Sequence, residues 1–487
     1  MIDLIFMLRR DLPRREAGQS TGRRLAEVLR RAVLDQSLTA GGMLPASRVL
    51  AHELGVARNT VLYAYEQLTA EGFVRADRQG TVVCHLGSTM PAGSAAHRAR
   101  LPPLAHRARP VDLPLEGGSP RPFEPGVPAL DAFPLKRWRQ YAIQAWKAMT
   151  PAMLDRRVVT GEPVLRVAIA GYLRASRGVR CEPEQVIITS GTQESLILCA
   201  QLLADPGERA WMEHPGYPGA IHAFAAAGLA LVPVPVDEQG LAPSPALWKN
   251  KPPRLIYTTP SHQYPQGVML SLPRRLALIE RAREHGSWII EDDYDSEFCR
   301  GMPLAAMQGL APDAPVVYLG TFSKTLYPAL RLAFVVLPQA VVEQIVPALG
   351  GRLSPGRAAE QEALAAFIHQ GDFTAHLRQM RRLYAEREAA LRAALEAHWP
   401  LSLTLSPGAG GMHLSLVLPT HVSDLEVVRR AAFRGLEPRA LSTFSVHGGR
   451  PLNGLVLGYA NIASERMGEH VASLAAVVRQ VSRKRRG

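Results

Sequence analysis

One lysine of the sequence has neighbours that are suited to covalent chemistry. Lys324 lies in the segment Gly-Thr-Phe-Ser-Lys-Thr-Leu-Tyr-Pro-Ala-Leu-Arg at 320–331, among hydroxyl side chains and small residues. A lysine acts as a nucleophile when it is partly desolvated, because burial lowers the pKa of its amine, and Phe322 and Leu326 could provide the apolar surroundings. The segment is therefore a candidate site for a Schiff base between the lysine and an aldehyde.

The residues around Lys324 could also bind a phosphate group. Thr321 and Ser323 offer hydroxyl groups, and Arg331 follows the lysine by seven positions. Hydroxyls and a guanidinium group form strong hydrogen bonds to a phosphate dianion. An exposed lysine in a Ser/Thr-rich loop would have the same local sequence, so the rest of the chain must decide between the two interpretations.

From residue 133 to the C-terminus, short apolar strands alternate with helices, which indicates an α/β domain with a mostly parallel sheet. Four of these strands are predicted at 210–212, 255–259, 288–290 and 316–319. Each precedes a polar or glycine-containing segment, and ligands of such sheets gather at the carboxyl ends of the strands. These segments would bring the following side chains to one cleft: Tyr217, His262, Asp292, Tyr294 and Lys324.

A further strand is predicted at 186–189 and a helix at 194–204, with Gly191, Thr192 and Gln193 in the turn between them. A glycine-containing turn that leads into a helix exposes backbone N–H groups, which can bind a phosphate. Many turns of this kind bind nothing, so the turn alone is weak support for a phosphate site.

The first part of the chain, residues 20–84, predicts three helices followed by a hairpin. The second and third helices are separated by a tight turn at Gly55, the pattern of a helix-turn-helix, whose second helix presents its N-terminal residues to a DNA groove. Those residues are Arg58, Asn59 and Thr60, which can hydrogen-bond base edges and phosphates. The alternative is a small helical protein-interaction module with solvated arginines.

The hairpin after the third helix could serve as a wing that lies along the DNA backbone. It would place Arg75, Arg78 and the backbone of Gly80 near phosphates. With its Leu-Pro-x-Ser-Arg segment at 44–48 and its Arg-Asn-Thr-Val segment at 58–61, the whole unit resembles the GntR-type winged helix-turn-helix. The resemblance implies that Arg48, Arg58 and Thr60 contact double-stranded DNA.

Residues 130–487 resemble the fold-type I aminotransferases that use pyridoxal 5′-phosphate. The resemblance rests on Thr-Pro-Ser-His-Gln at 259–263, Glu-Asp-Asp-Tyr-Asp-Ser-Glu-Phe at 291–298 and Gly-Thr-Phe-Ser-Lys at 320–324. The combination of this domain with a GntR-like head resembles the MocR/GabR family of transcriptional regulators. The resemblance covers nearly the whole chain.

The resemblance implies a role for each candidate residue. Lys324 would form the internal aldimine with pyridoxal 5′-phosphate, and Asp292 would pair with the pyridine nitrogen and keep it protonated. Tyr294 and His262 would hydrogen-bond the phenolic oxygen, and Tyr217 would stack on the ring. The phosphate would be held by Gly191, Thr192, Gln193, Thr321 or Ser323, and Arg331. Taken singly, each residue also has an ordinary explanation, such as a core aromatic for Tyr217.

The sequence departs from the aminotransferase pattern at two carboxylate-binding positions. Many aminotransferases carry an arginine where this chain has Val456, although Arg450 lies nearby. Relatives that respond to GABA place an arginine where this chain has Gly219, so we do not expect GABA to bind in that manner.

A third departure concerns a phosphate-binding tyrosine that the family takes from the partner subunit, shortly before a Gly-x-x-x-Leu-Arg segment. That segment is present at 161–166, but Arg156 and Arg157 precede it without the aromatic residue. One of these arginines could serve the phosphate instead.

Composition limits the class of protein. The 487 residues are enough for two or more domains, and 47% of them are hydrophobic, as in folded proteins. The formal net charge of +13 favours a polyanion partner. The four cysteines have no metal-ligand spacing, so we expect neither a disulfide framework nor a metal site. Without a signal peptide or membrane span, the cytoplasm is the expected location.

The predicted organisation is a winged-helix DNA-binding domain at 18–85, a Pro/Arg/Gly-rich linker at 86–128, and an aminotransferase-like domain at 129–487 with a small C-terminal α/β subdomain. Three functions remain open. The first is a homodimeric regulator that senses pyridoxal phosphate or an amine or amino acid. The second is an aminotransferase with an accessory DNA-binding module, in which case turnover would be expected. The third is an architectural DNA-binding protein. The missing arginine at Val456 argues against the second function, and the complete cofactor set argues against the third.

Overall fold

The computed structural model describes residues 2–12, 20–77, 80–85, 120–155, 158–301, 305–311, 313–350, 352–353, 356–407, 410–449 and 452–484. The chain divides into two compact units, Met1–Pro110 and Val111–Gly487. Among the helices of the described residues, none is long and apolar enough to cross a membrane.

The first unit is built from four helices and a hairpin. The elements are α1 Ile2–Asp11, α2 Thr21–Leu34, α3 Ser47–Leu54, α4 Arg58–Ala70, β1 Val74–Asp77 and β2 Gly80–Val83. Helix α2 forms because Leu25, Leu29 and their neighbours recur at helical spacing and are buried on one face. Helix α3 ends at Gly55, which has the left-handed conformation that favours glycine, and α4 begins three residues later.

The start of the first unit differs from expectation. Helix α1 was not predicted, because its apolar run is short. It nevertheless packs on the core of this unit, where Leu8 is fully buried, so the unit begins before the predicted boundary at residue 18.

The second unit begins with helices α5 Leu135–Ala148, α6 Pro151–Asp155 and α7 Pro163–Arg177 and continues into a large α/β layer. Its strands are β3 Val186–Thr189, β4 Arg209–His214, β5 Ala230–Asp237, β6 Gly240–Leu241, β7 Leu255–Thr258, β8 Trp288–Asp293, β9 Val316–Thr321 and β10 Ala333–Val336. Its helices are α8 Thr192–Leu203, α9 Pro218–Ala226, α10 Pro245–Asn250, α11 Leu272–His285, α12 Met307–Leu310, α13 Phe322–Thr325 and α14 Gln339–Ala348.

These strands form one eight-stranded sheet in the order β3-β10-β9-β8-β7-β4-β5-β6. Strands β9, β8, β7, β4 and β5 are mutually parallel, β10 is antiparallel to β3 and β9, and β6 is antiparallel to β5. The central strands are buried on both faces, as expected for a parallel sheet that is covered by helices. The prediction of a mostly parallel sheet is confirmed.

The remainder of the unit consists of helices α15 Ala358–His369, α16 Asp372–His398, α17 Asp424–Ala432 and α18 Met467–Lys484 with a second sheet. That sheet contains β11 His413–Val417, β12 Arg439–Ala440 and β13 Gly454–Gly458 in the order β11-β13-β12, with all pairs antiparallel. It matches the expected small C-terminal α/β subdomain.

The predicted linker extends too far towards the C-terminus. Residues 120–128 lie in the second unit, where Phe123 is fully buried and forms a strand bridge with Gly458. The backbone N–H of Ala129 donates to the Tyr384 hydroxyl oxygen at 3.0 Å. A short extended segment that packs by one aromatic residue has no periodicity, so the sequence pattern could not distinguish it from a linker. The predicted linker arginines at 98, 100, 107 and 109, like Arg450 and the pair at 156–157, lie outside the described residues.

Candidate functional site

The carboxyl ends of strands β7, β8 and β9 meet at one cavity of about 250 Å³. The three strands are neighbours in the sheet and run in parallel, so the residues that end or follow them lie side by side. Six predicted residues line this cavity: Thr192, Tyr217, Asp292, Tyr294, Thr321 and Lys324. The structure therefore brings together side chains that are up to 132 positions apart in the sequence.

Lys324 lies on the short helix α13, directly after β9. Its Nζ donates a hydrogen bond to the carbonyl oxygen of Gly126 at 2.8 Å. Burial lowers the pKa of the amine, although the carboxylates of Asp295, Asp292 and Glu124 oppose this effect. A buried amine with a lowered pKa is the form that attacks an aldehyde carbon.

Glycine is the residue that fits at position 126, where the backbone contacts Lys324. Its φ of +80° lies in the left-handed region, and a Cβ at this position would come within 2.7 Å of the lysine Nζ. The residue therefore leaves room at the reactive amine that any side chain would fill.

Asp292 is the last-but-one residue of β8 and is almost fully buried. The Tyr257 hydroxyl, from the neighbouring strand β7, donates to its Oδ2 at 2.7 Å. Burial raises the pKa of Asp292 to about 7, and the charges of Asp293 and Glu213 act in the same direction. A cationic ligand nitrogen beside this carboxylate would restore its ionised form.

Tyr217 precedes helix α9 and presents its ring to the cavity. The ring packs edge-to-face against Tyr264, with the ring centroids 5.9 Å apart. A Cβ at Gly219 would lie 2.5 Å from the Tyr217 ring, so an arginine at 219 would require the ring to move. The position of the Tyr217 ring is thus compatible with glycine at 219 and not with arginine.

The predicted phosphate residues lie at the start of helix α8 and around α13. The guanidinium carbon of Arg331 would be 3.7 Å from a Cβ at Gly191, which places the arginine beside the helix N-terminus. Thr321 Oγ1 accepts a hydrogen bond from the backbone N–H of Ser323 at 3.2 Å. Gln193, in contrast, uses its side-chain amide to bind the carbonyl oxygen of Gly219 at 3.2 Å. Gly191, Gln193, Ser323 and Arg331 do not line the cavity itself.

His262 does not line the cavity, contrary to the role implied for it. Its Nδ1 lies 2.8 Å from Asp295 Oδ2 and 3.1 Å from the Tyr294 hydroxyl, which donates to the His262 carbonyl oxygen at 2.9 Å. Burial lowers the pKa of His262, but the Asp295 carboxylate outweighs this and the net pKa is raised. Tyr264, two residues later, lines the cavity, and His262 contacts the cavity residue Tyr294 through the two hydrogen bonds just described.

Three buried groups of metal-ligand type lie near one another: His262, Asp295 and His413, with ligand atoms within 4.8 Å. The first two form the pair described above, and His413 Nε2 lies 3.1 Å from the Pro265 carbonyl oxygen. Burial, together with the charge of His262, lowers the pKa of His413. The side chains of this cluster therefore already have hydrogen-bond partners within the protein.

The sequence analysis missed several residues of the cavity. They are Glu124, Pro125, Gly126, Pro218, Tyr257, Thr259, Tyr264, Met412, His413, Arg439, Thr443 and Phe444. Tyr257 could have been found, because it lies in the predicted strand beside Asp292. The residues from 124–126 and from 412–444 belong to segments without a recognisable pattern, and only the fold brings them to the cavity.

In the first unit, the N-terminus of α4 is exposed. Arg58 and Asn59 are exposed, Thr60 is half-buried, and the first turn of α4 contains no acidic residue. Arg58 Nε donates to Ser47 Oγ at 3.4 Å, which connects it to the helix that carries the exposed Arg48.

The predicted wing is the antiparallel pair β1 and β2, in which Asp77 pairs with Gly80. Arg75 is exposed on β1. A Cβ at Gly80 would come within 3.0 Å of Met43 Cε, and its φ is +145°. Arg78 lies outside the described residues.

Comparison with known proteins assigns both units. Residues 21–83 match the family of bacterial regulatory proteins of the gntR family, and residues 126–441 match the aminotransferases of class I and II. The chain is 39% identical over 469 residues to the probable rhizopine catabolism regulatory protein MocR of Rhizobium meliloti, covering 94% of each chain. The chain belongs to the MocR family of HTH-type transcriptional regulators.

Other relatives of this MocR-family chain include regulators and enzymes. The pyridoxine biosynthesis regulator PdxR of Corynebacterium glutamicum is 34% identical over 444 residues, with 90% of this chain and 91% of PdxR covered. The solved structure of LysN, an α-aminoadipate aminotransferase of Thermus thermophilus in complex with N-(5′-phosphopyridoxyl)-L-leucine, superposes with a TM-score of 0.68 at 30% identity. The superposition covers 74% of this chain and 92% of LysN. The gntR-type unit indicates DNA binding, and the aminotransferase fold implies use of pyridoxal phosphate.

The residues of the MocR-family cavity fit that cofactor. A buried amine, a buried carboxylate and an aromatic ring surround one space, with a helix N-terminus and a guanidinium group beside it. The space next to the amine is kept open by Gly126. Pyridoxal phosphate requires this combination of groups.

Proposed function

We propose that this MocR-family regulator binds pyridoxal 5′-phosphate at Lys324 and changes its affinity for promoter DNA when an amine or amino acid enters the cavity. The observation that supports this most strongly is that the half-buried Lys324 and the buried Asp292 line the same cavity. A pyridine ring that carries an aldehyde has a partner for each group. Its aldehyde carbon reacts with the amine of Lys324 once that amine has lost a proton, and its protonated ring nitrogen pairs with the carboxylate of Asp292.

Each part of the cofactor has a group of this chain to hold it. Lys324 would hold the aldehyde carbon, Asp292 the pyridine nitrogen, and Tyr294 the phenolic oxygen, with Tyr217 against the ring. The N–H groups at the start of α8 and the guanidinium of Arg331 would hold the phosphate. The bound cofactor supplies an electrophilic carbon that exchanges amines, which makes the site selective for amines over other small molecules.

Regulation requires that the ligand bind two states of the protein with different affinities. In this proposal the two states differ in how well the gntR-type unit binds DNA. A true ligand therefore changes DNA affinity, and DNA changes the affinity for the ligand by the same factor.

We also propose a homodimer. The helices α5–α7 carry exposed large apolar side chains, of which Leu135, Ile143, Trp146, Leu154 and Val167 are between 48% and 68% exposed. An apolar surface of this kind is typical of an interface, and a second copy of the chain is the partner that we expect. Sedimentation of wild type and Trp146→Glu at equal concentration should show a dimer and a weakened dimer.

The decisive experiment measures binding to the protein's own upstream DNA by fluorescence anisotropy, with and without pyridoxal phosphate, and then with candidate amines. We expect a visible absorbance band when pyridoxal phosphate is added, because a cofactor attached to a lysine absorbs differently from the free aldehyde, and an amine-dependent change in DNA affinity. Lys324→Ala should lose both. If wild type and Lys324→Ala behave identically, the proposed function is wrong.

The alternative is an aminotransferase that carries a DNA-binding module. The residues that line the cavity are compatible with it, because they are the same groups that the reaction would need. Rapid turnover of an amino acid with a keto acid, at about 1–1000 per second, would favour this alternative.

A further inference from the structure

The position that lacks the expected carboxylate-binding arginine lies next to another arginine in the structure. Val456, on β13, is the register partner of Arg439, on the neighbouring antiparallel strand β12. Residues that are directly opposite in an antiparallel pair point to the same face, with their Cβ atoms about 5 Å apart. Arg439 therefore places a guanidinium group beside Val456, where many aminotransferases have their carboxylate-binding arginine.

The neighbours of Val456 connect this face to the cavity. Val456 is fully buried in a small cluster with Leu441 and Phe444, against which Tyr264 packs. Phe444 and Tyr264 both line the cavity, as does Arg439 itself. The positive charge of Arg439 also acts on the hydroxyl of Tyr264, where it lowers the pKa against the larger effect of burial.

Arg439 has hydrogen-bonding capacity that the described residues do not use. Its side chain is 25% exposed, and its one described hydrogen bond runs from Nη2 to Glu437 Oε1 at 3.3 Å. Glu437 is also shared with Arg121, whose Nη1 lies 3.7 Å from Oε2. A guanidinium group has five N–H donors in a planar fork that matches a carboxylate.

The other charges of the cavity fix the direction in which an amino acid would bind. Asp292 and Glu124 line the same cavity as Lys324, and both carboxylates act on the lysine amine. They would repel a ligand carboxylate from that end and favour its amine. Among the described residues that line the cavity, Arg439 is the other cationic group.

We propose that Arg439 binds the carboxylate of an amino-acid effector whose amine lies at Lys324. This inference rests on the proposed function and specifies the chemical class of its ligand. Arg439 on β12 then supplies the anion contact for which Val456 on β13 has no group. The apolar residue at 456 is consequently no argument against amino acids as ligands, nor against turnover.

The experiment compares matched amines that differ by one carboxylate: L-alanine against ethylamine, and 4-aminobutanoate against propylamine. Binding to the protein loaded with pyridoxal phosphate is followed by the change in visible absorbance, with wild type, Arg439→Gln and Arg121→Gln. Arg121 is a matched control because it contacts the same Glu437 but does not line the cavity.

We expect wild type to prefer the carboxylate member of at least one pair by about 10- to 100-fold, the range for a hydrogen-bonded ion pair. Arg439→Gln should remove the preference by weakening only the carboxylate member, and Arg121→Gln should retain it. Arg439→Lys keeps the positive charge but not the planar guanidinium group, so it should retain part of the preference for the carboxylate. This variant replaces Arg439→Gln in the test if the glutamine variant does not fold.

Two results would overturn the role of Arg439 while the cofactor band remains intact. One is a wild type that does not prefer the carboxylate in either pair, and the other is an unchanged preference in Arg439→Gln or, where that variant does not fold, in Arg439→Lys. Failure of the proposed function has a different signature, since wild type would then lack the visible band before any amine is added.

Discussion

The two units of this chain place their functional charges in opposite environments. In the gntR-type unit, Arg48 and Arg58 are exposed on a small helical core. In the aminotransferase-like unit, Lys324 and Asp292 are enclosed in a cavity at the carboxyl ends of parallel strands. The first arrangement suits a polyanion, which binds from solvent and releases counterions. The second suits a small ligand whose protonation must be controlled by a low dielectric.

The difference has a consequence for mutations. An exposed arginine at the end of a helix contributes little to folding, so its replacement should change DNA binding and leave stability unaltered. A buried charge affects both folding and binding, because its desolvation lowers the stability of the folded protein whether or not the ligand is present.

The largest effect is expected for Lys324→Ala. Because the lysine is the proposed attachment point, the visible band with added pyridoxal phosphate should be abolished, while DNA affinity in the absence of cofactor stays the same. Absorbance spectra and anisotropy titrations measure the two quantities. Lys249→Ala, at an exposed position of α10, should behave as wild type. A persistent band in Lys324→Ala would show that the cofactor is attached elsewhere.

Arg58→Ala should weaken binding to the specific DNA site by about 10- to 100-fold, the cost of one side chain that reads a base. The cofactor band and the thermal midpoint should be unchanged, because the side chain is exposed and contacts Ser47 only at 3.4 Å. Arg31→Ala, in the last turn of α2, is the control with the same change of charge. Equal losses for the two variants would indicate a purely electrostatic effect and contradict the assignment of α4 to the groove.

The sequence predicted the strand-end residues of the cavity because a physical rule connects them. Parallel strands share one carboxyl edge, so Lys324, Asp292 and Tyr217 could be assigned to one cleft from strand positions alone. The sequence did not indicate that Tyr264 lines the cavity and His262 does not, because the chain turns between Thr259 and Gly267. In this turn the Gln263 N–H donates to the Val268 carbonyl oxygen, and the Gly267 N–H donates to the Gln263 carbonyl oxygen. In such a turn, the residue that faces the cavity does not follow from spacing.

Other parts of the site could not have been predicted. Gly126 reaches Lys324 across 198 positions, in a segment that has neither helical nor strand periodicity. The proximity of Arg439 to Val456 depends on the register of a two-residue strand, which no pattern of the sequence determines. Contacts of this kind are set by the packing of the C-terminal subdomain.

The buried acid Asp292 makes the stability of the folded protein fall as the pH rises. The pKa of Asp292 is about 7 in the folded protein and is near its ordinary value of 3.8 when unfolded. Between these values the folded state holds the extra proton, so stability falls as pH rises through this window and the loss is complete above pH 7. Asp292→Asn keeps an acceptor for Tyr257 and has no charge to desolvate.

We therefore expect cofactor-free Asp292→Asn to gain thermal stability over wild type as the pH rises from 5 to 8, although it binds pyridoxal phosphate more weakly. Scanning calorimetry at several pH values measures the difference between the two midpoints. Asp237→Asn is a control whose deficit in stability should be constant from pH 5 to 8, because the hydrogen bond from Arg274 lowers the pKa of Asp237 below its ordinary value of 3.8 and the carboxyl is ionised throughout this range. A difference between Asp292→Asn and wild type that does not vary with pH would contradict the assignment of a buried acid with a raised pKa.

The smallest effect concerns the wing. Arg75 is exposed on β1, and a contact with a phosphate would weaken binding to all DNA sequences alike. Arg75→Ala should therefore reduce the slope of log affinity against log salt by about one, without changing the preference between specific and unrelated DNA. Arg9→Ala, whose side chain pairs with Glu53 at 3.1 Å, should leave the slope as it is. If Arg75→Ala also leaves the slope unchanged, β1 and β2 do not lie along the DNA backbone, and the proposed DNA contacts of this unit are confined to helices α3 and α4.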